Sequence, residues 1–143
     1  MPSSKLSKAD FEILAGFRYR LRRFLRFSEE VTRRHGVTPL QYQLMLQIRG
    51  FPGRDWATVA ELAERLQAKH HGAVALISRC EAAGLVTRNA STVDQRRVEV
   101  HLTPAGRQCV DRLARLHRDE LRSVAGGSVV PGFGEPTLTG FMP

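Results

Sequence analysis

The sequence predicts a mainly α-helical fold with a small antiparallel β-hairpin. Residues 59–66 and 73–80 each place apolar side chains on one helical face, and only about five residues, 67–71, connect the two patterns, which indicates a helix-turn-helix. Residues 85–87 and 98–102 then alternate apolar and polar side chains, as strands do, around a loop with three arginines. A helix pair followed by a hairpin with a basic tip is a winged helix-turn-helix. This architecture suits duplex DNA, with one helix in the major groove and the hairpin, or wing, over the backbone or minor groove.

A long helix is predicted at the N-terminus, within residues 1–37. Ser7 and Asp10 have the spacing of a capping box, and Gly36 closes the pattern. Its apolar residues cover too much of the circumference for a helix that rests on one small domain, so we expect it to pack against a second subunit. The opposite face carries seven arginines, which we interpret as a solvated surface and not as a DNA contact.

Residues 38–103 are predicted to form the DNA-binding domain. Thr38 and Pro39 start a helix that ends near Gly50 and is expected to bury Leu40, Leu44, Met45 and Ile48. After a turn at residues 51–55, Trp56 and Ala57 are expected to add a third strand to the wing. Thr58 caps the first helix of the helix-turn-helix, and Gly84 ends the second helix.

A last helix is predicted over residues 104–125 and completes the fold class: a winged helix-turn-helix with long N- and C-terminal dimerisation helices. It starts at Thr103 and Pro104 and is expected to bury Cys109, Val110, Leu113, Leu116 and Leu121. In residues 126–143, eight of 18 residues are Gly or Pro, a composition that cannot hold a helix, so we predict a disordered tail.

The charge and composition of the chain limit the classes of partner that we expect. The net charge of +8 favours a polyanionic partner such as nucleic acid. No apolar run approaches the ~18 residues of a membrane helix, and the N-terminus lacks the apolar core of a signal peptide, so we expect a cytoplasmic protein without a membrane partner. Two cysteines without a CxxC motif predict no metal site, and no cofactor is expected. Glycine-rich phosphate loops and other catalytic motifs are absent from the sequence, so we do not expect an enzyme.

Three sequence motifs resemble the MarR family of winged helix-turn-helix transcriptional regulators. They are Leu62-Ala63 with Leu66, the segment from Glu81 to Val86 with Arg88, and Asp94-Gln95-Arg96 followed after five residues by Leu102-Thr103. The resemblance covers residues 6–124. It implies a homodimeric, sequence-specific regulator that binds double-stranded DNA, and specifically a repressor that a ligand relieves.

Candidate DNA-binding residues lie on the second helix of the pair and on the wing. On the helix they are Lys69, His70, His71, Gly72, Ser78 and Arg79, because its first turn and exposed face would meet base edges and phosphates. On the wing, Arg96 is predicted to enter the minor groove, and Asp94 to brace its guanidinium or hold the turn. Arg88 and Arg97 are predicted phosphate contacts. The competing interpretation is a basic surface that serves solubility alone.

The resemblance also implies a small aromatic or phenolic ligand, bound between the dimerisation helices and the DNA-binding domain. Residues that could line such a site are Tyr19, Arg23, His35 and Tyr42. Two alternatives stay open: an oxidant-sensing regulator that uses Cys80 or Cys109, and an architectural DNA-binding protein without a ligand response. Cys80 occupies a core position of its helix, so we interpret it as a packing residue.

Overall fold

A computed structural model of the chain describes residues 4–123, which form five helices and a three-stranded sheet. The helices are α1 (Lys8–Arg34), α2 (Pro39–Arg49), α3 (Val59–Arg65), α4 (His70–Ala82) and α5 (Pro104–Ser123), and the strands are β1 (Trp56–Thr58), β2 (Val86–Ala90) and β3 (Val98–Leu102). The predicted mainly α fold with a β wing is therefore confirmed. No helix among the described residues is long and apolar enough to cross a membrane. The predicted tail at residues 126–143 lies outside the described residues.

Capping boxes define the first residues of three helices, as predicted. The backbone N–H of Asp10 donates to Ser7 Oγ (3.1 Å), and the N–H of Ser7 donates to the Asp10 carboxylate (2.9 Å). Thr38 with Gln41 does the same for α2, and Thr58 with Glu61 for α3. Each reciprocal pair satisfies N–H groups that the helix itself leaves without partners.

The described residues form two compact units, one of residues 4–30 with 116–123 and one of residues 31–115. In the first unit, the His117 ring lies edge-on to Phe24 and Phe27, with centroid distances of 5.7 and 5.5 Å, and its Nε2 is 2.9 Å from Ser28 Oγ. Towards the start of α1, by contrast, large apolar side chains are exposed, for example Phe11 (53%) and Leu14 (56%).

The core of the second unit joins α2, α3, α4, the sheet and the first half of α5. Its fully buried side chains include Leu44, Met45, Ile48, Leu62, Ile77, Val86, Val100, Val110 and Leu113. The predicted burial of Leu40 is wrong, since that side chain is 54% exposed. It lies in the first turn of α2, one turn before the residues that face the core. Cys109 and Leu116 are half-buried and not in the core.

The three strands form an antiparallel sheet in the order β1-β3-β2. Trp56 pairs with His101 and Thr58 with Glu99, which confirms the predicted third strand. The β2 strand is longer than predicted, because Arg88 pairs with Val100 and Ala90 with Val98. The wing loop is therefore confined to residues 91–97, and Arg88 belongs to a strand and not to the loop.

Candidate nucleic-acid interface

Helix α4 presents one buried and one exposed face. Ala73, Leu76, Ile77 and Cys80 are buried, while His70, His71 and Arg79 are exposed and Ser78 is half-buried. The preceding residue, Lys69, is exposed, has an extended backbone and makes no capping hydrogen bond through its side chain. The N–H groups of the first turn are thus not occupied by a side-chain cap, and the helix dipole favours an anion there.

Gly72, in the first turn of α4, is surrounded by open space. A β-carbon built at this position meets no atom within 4 Å. The fold itself therefore does not require glycine at this position. An external backbone that approaches α4 closely would require it, since glycine is the residue that allows such an approach.

The wing tip, residues 91–97, is a closed turn held by local hydrogen bonds. Ser91 Oγ accepts from the N–H groups of Val93 and Asp94 (both 3.2 Å), and Ser91 N–H donates to the carbonyl of Arg97 (3.0 Å). Asp94 Oδ1 accepts from the backbone N–H of Arg96 (3.0 Å), and Arg97 N–H donates to Asp94 O (3.0 Å). Of the two roles predicted for Asp94, the structure contains the one that holds the turn. Its carboxylate binds the backbone of Arg96 and not the guanidinium.

A cleft of about 500 Å3 lies between α3, α4 and the wing. Its polar and charged lining consists of Thr58, Glu61, His70, Arg88, Arg96 and Arg97. Among the described residues, the guanidinium groups of Arg96 and Arg97 make no ion pair with a carboxylate. Two free cations beside the first turn of α4 give the cleft the charge that a phosphate backbone needs.

Arg88 differs from these two arginines because Glu81 binds it. Its Nη2 and Nε lie 2.9 and 3.3 Å from Glu81 Oε1, and its backbone N–H donates to Oε2 (3.1 Å). The hydrogen bonds from Arg88 hold the pKa of the Glu81 carboxyl below its usual value, so this carboxyl is ionised at neutral pH. The pair ties the last turn of α4 to β2, and Arg88 reaches the cleft as a held side chain and not as a free one.

A second cluster positions the start of α3 and was not predicted from the sequence. The Arg54 guanidinium lies 4.3 Å from the Phe51 ring centroid and 4.0 Å from that of Trp56, and it pairs with Glu61. Burial alone would raise the pKa of Glu61. Hydrogen bonds from Thr58 and the positive charge of Arg54 have the larger combined effect, so the pKa lies below its usual value and the carboxyl is ionised. Glu61 therefore caps α3 while Arg54 largely neutralises it, which limits the negative charge inside the cleft.

The four predicted ligand-binding residues are divided between the two units. In the first, Arg23 lies over the exposed Tyr19 ring, 5.7 Å from its centroid. In the second, His35 Nδ1 is 2.8 Å from the carbonyl of Val31, and Tyr42 is only 4% exposed. Burial raises the pKa of Tyr42 to about 12. Tyr42 is thus a core residue, and neither unit by itself brings the predicted set together.

Both cysteines lie in poorly reactive surroundings. Cys80 is fully buried, and burial raises the pKa of its thiol to about 11. Burial also raises the pKa of the half-buried Cys109. Oxidants attack the thiolate, and burial disfavours this form at both cysteines.

Comparison with known proteins gives one family. Residues 35–97, which include the helix pair, β2 and the wing loop, match the MarR family. Over 99 residues the chain is 31% identical to a Thauera aromatica protein named as a candidate transcriptional regulatory protein for the hcr operon; the match covers 69% of this chain and 56% of that protein. The chain thus spans just over half the length of this curated relative.

Solved structures share the fold. A MarR family protein from Bacillus stearothermophilus superposes with a TM-score of 0.75 at 18% identity, covering 96% of this chain and 91% of that one. AbsC, a MarR family transcriptional regulator from Streptomyces coelicolor, gives a TM-score of 0.70 at 21% identity, covering 84% and 80%. At these identities the likeness concerns the fold alone.

Proposed function

This chain belongs to the MarR family, and we propose that it acts as a homodimeric, sequence-specific DNA-binding transcriptional regulator. The observation that carries the proposal is the cleft between α4 and the wing, where Arg96 and Arg97 have no carboxylate partner among the described residues. Free cations beside an exposed helix face are what a phosphate backbone next to a groove requires. A DNA partner also favours a cytoplasmic location.

In this proposal α4 enters the major groove. His71 contacts base edges, where all four base pairs differ in their donors and acceptors, and Gly72 lets the helix backbone come close to the DNA. Lys69 and Arg79, which are exposed at the two ends of α4, bind the flanking phosphates. His70 and Ser78 complete the contact surface of the helix.

The wing contributes a different kind of contact. Arg96 enters the minor groove, which attracts arginine where A·T-rich sequence makes it narrow. Arg97 binds a phosphate in the cleft. Arg88, which Glu81 holds, lies at the base of the cleft, and its main effect is to keep β2 and the wing fixed to α4.

Two copies are needed to contact two half-sites, and the exposed apolar face of α1 supports dimerisation. Phe11, Leu14, Phe17 and Leu25 are all between 43% and 56% exposed in the single chain. An interface of this kind should bury more than ~1,200 Å2, and a dimer would place two α4 helices on half-sites separated by about 34 Å. Sedimentation at micromolar concentration without DNA should therefore give a dimer, and a monomer would contradict this part of the proposal.

Repression relieved by a small aromatic or phenolic ligand is the regulation that we propose. Two observations support this proposal: the chain belongs to the MarR family, and an exposed aromatic side chain, Tyr19, lies beside the cation Arg23. Oxidant sensing has less support, because burial raises the pKa of both thiols. An architectural role without sequence preference predicts equal affinity for unrelated duplexes, which the following experiment measures.

The test is selection of bound duplexes from a random pool, followed by titration of the enriched sequence in 50 to 200 mM salt. If Lys69, Arg79 and Arg97 of both subunits bind phosphates and Arg96 lies in the minor groove between phosphates, on the order of 6–10 charged contacts form and affinity falls by roughly 10³ or more over this range. Arg96→Ala with Arg97→Ala should reduce the slope of that response by about half. The matched control, Arg22→Ala with Arg34→Ala on exposed positions of α1, removes the same charge and should leave most of the response. A flat response of the wild type, or no enriched sequence, would contradict the proposal.

A further inference from the structure

The tip of the wing carries an exposed apolar side chain whose position the arginines do not explain. Val93 is 94% exposed, which makes it the most exposed large apolar residue in the part of the chain that the structure describes. Its neighbours Thr92 and Asp94 are polar and exposed. No contribution to the core accounts for a branched apolar side chain here.

The backbone at Val93 is held in place. Its N–H donates to Ser91 Oγ (3.2 Å), and Ser91 is itself buried, with 7% exposure. On the other side of the turn, Asp94 Oδ1 holds the N–H of Arg96 (3.0 Å). Val93 and Arg96 therefore belong to one closed turn. If Arg96 enters a groove, the turn brings Val93, three residues away, close to the same DNA segment.

A single exposed apolar residue is common on protein surfaces and by itself means little. Val93 differs because it occupies the tip of the element that is proposed to enter the minor groove. Other proteins that bind the minor groove also place apolar side chains against the bases. The same fixed turn thus carries a cation and an exposed apolar branched group three positions apart.

We propose that Val93 is a specificity-determining contact in the minor groove, where it acts against G·C pairs; this inference rests on the proposed function. In that groove A·T pairs present acceptors only, whereas guanine adds its 2-amino donor. Valine cannot accept a hydrogen bond, so a guanine amino group that it covers loses its water without gaining a partner. Arg96 attracts the wing to narrow A·T-rich DNA, and Val93 penalises the amino group.

The test changes the minor groove while it leaves the major-groove contacts in place. In the duplex enriched by selection, 2,6-diaminopurine replaces adenine at the flanking positions and adds the 2-amino group, and inosine replaces guanine and removes it. We expect the added amino group to weaken wild-type binding about tenfold, the effect of one unsatisfied buried donor. Guanine placed at the same positions should also weaken binding, and inosine in place of that guanine should restore the affinity because it lacks the 2-amino group.

Val93→Thr is the decisive variant, because threonine has nearly the same shape and its hydroxyl can accept from the amino group. It should reduce the tenfold penalty to less than about threefold. The control is Thr92→Ser on the adjacent exposed residue, which should keep the full penalty. Since Val93 is almost fully exposed, the melting temperature should not change.

Failure of the inference and failure of the proposed function are distinguishable. The role of Val93 alone is overturned if the wild type binds the unmodified duplex but shows no penalty for the added amino group. It is also overturned if the Val93→Thr variant shows the same penalty as the wild type. If Thr92→Ser also reduced the penalty, the effect would belong to the loop as a whole, and the role of Val93 would again be overturned. If the wild type selects no duplex, the proposed function itself fails.

Discussion

Gly106 packs directly against the backbone carbonyl of Leu85. A β-carbon at residue 106 would lie 2.0 Å from Leu85 O and 2.9 Å from its carbonyl carbon. Beside this contact, Thr103 N–H donates to Leu85 O (3.0 Å) and Thr103 Oγ1 donates to Gly84 O (2.6 Å). The first turn of α5 is thus seated on the turn that joins α4 to β2. The position of the last helix and that of α4 are therefore coupled through backbone atoms.

Gly106→Ala should destabilise the protein, although alanine is the better helix former. The added methyl group meets backbone atoms and not a flexible side chain, so α5 or the 84–85 turn must shift. Overpacking of this kind costs about 1–3 kcal/mol. Urea unfolding followed by circular dichroism measures the loss. An unchanged midpoint would show that the turn yields without cost.

Gly72→Ala provides the matched comparison and tests the interface. Its β-carbon meets nothing within 4 Å, so the substitution should raise stability by about 0.5–1 kcal/mol. Affinity for the selected duplex should nevertheless fall, by about tenfold if the methyl group displaces α4 from the major groove. Thermal unfolding and DNA titration of the same preparation give both values. Unchanged affinity would place the backbone of α4 away from the DNA.

The sequence predicted the features of this fold that depend on local spacing. The three capping boxes, the helix pair and the third strand depend on residues three or four positions apart or on simple alternation. Periodicity identified the buried face of α2 but not where the core ends along it, which explains the error at Leu40. The candidate DNA-contacting residues of α4 were proposed because they lie opposite its apolar face, and their contact with DNA stays a prediction.

Contacts that depend on how elements pack could not be predicted in this way. Glu81 was visible as part of a family motif, but its pairing with Arg88 requires the exact turn from α4 into β2. The stack of Arg54 between Phe51 and Trp56 requires that the loop fold back onto β1. Gly106 carried no local signal, because the backbone of Leu85 approaches it only in the folded chain.

Asp94 can be tested with two substitutions that separate its charge from its hydrogen bond. Asp94→Asn keeps an Oδ1 acceptor for the N–H of Arg96 and removes the negative charge, so DNA affinity should match or exceed that of the wild type. Asp94→Ala removes the acceptor as well. The loss of one hydrogen bond, about 0.5–1.5 kcal/mol, frees the turn and should weaken binding about two- to tenfold.

Titration of both variants against the selected duplex distinguishes the two roles first considered for Asp94. Equal weakening in Asp94→Asn and Asp94→Ala would indicate that the carboxylate charge braces the Arg96 guanidinium on DNA. Tighter binding in both variants would mean that the turn needs no such bond and that simple charge repulsion dominates.

The cysteines give a prediction about pH. Burial raises the pKa of Cys80 from 9.0 to about 11, so the folded protein keeps this thiol protonated where the unfolded chain ionises it. The unfolded state therefore binds fewer protons between these two values, and folding stability should fall as the pH rises from about 9 towards 11. Below pH 8 both states carry a neutral thiol and the effect disappears. Alkylation of Cys80 by iodoacetamide, followed by mass spectrometry, should accordingly be slow at pH 7 and become fast in urea.

Peroxide at neutral pH should leave DNA affinity unchanged in the wild type and in Cys80→Ser and Cys109→Ser alike. A loss of affinity that either serine variant prevents would instead identify that thiol as an oxidant sensor, and would require that the core around α4 opens in solution.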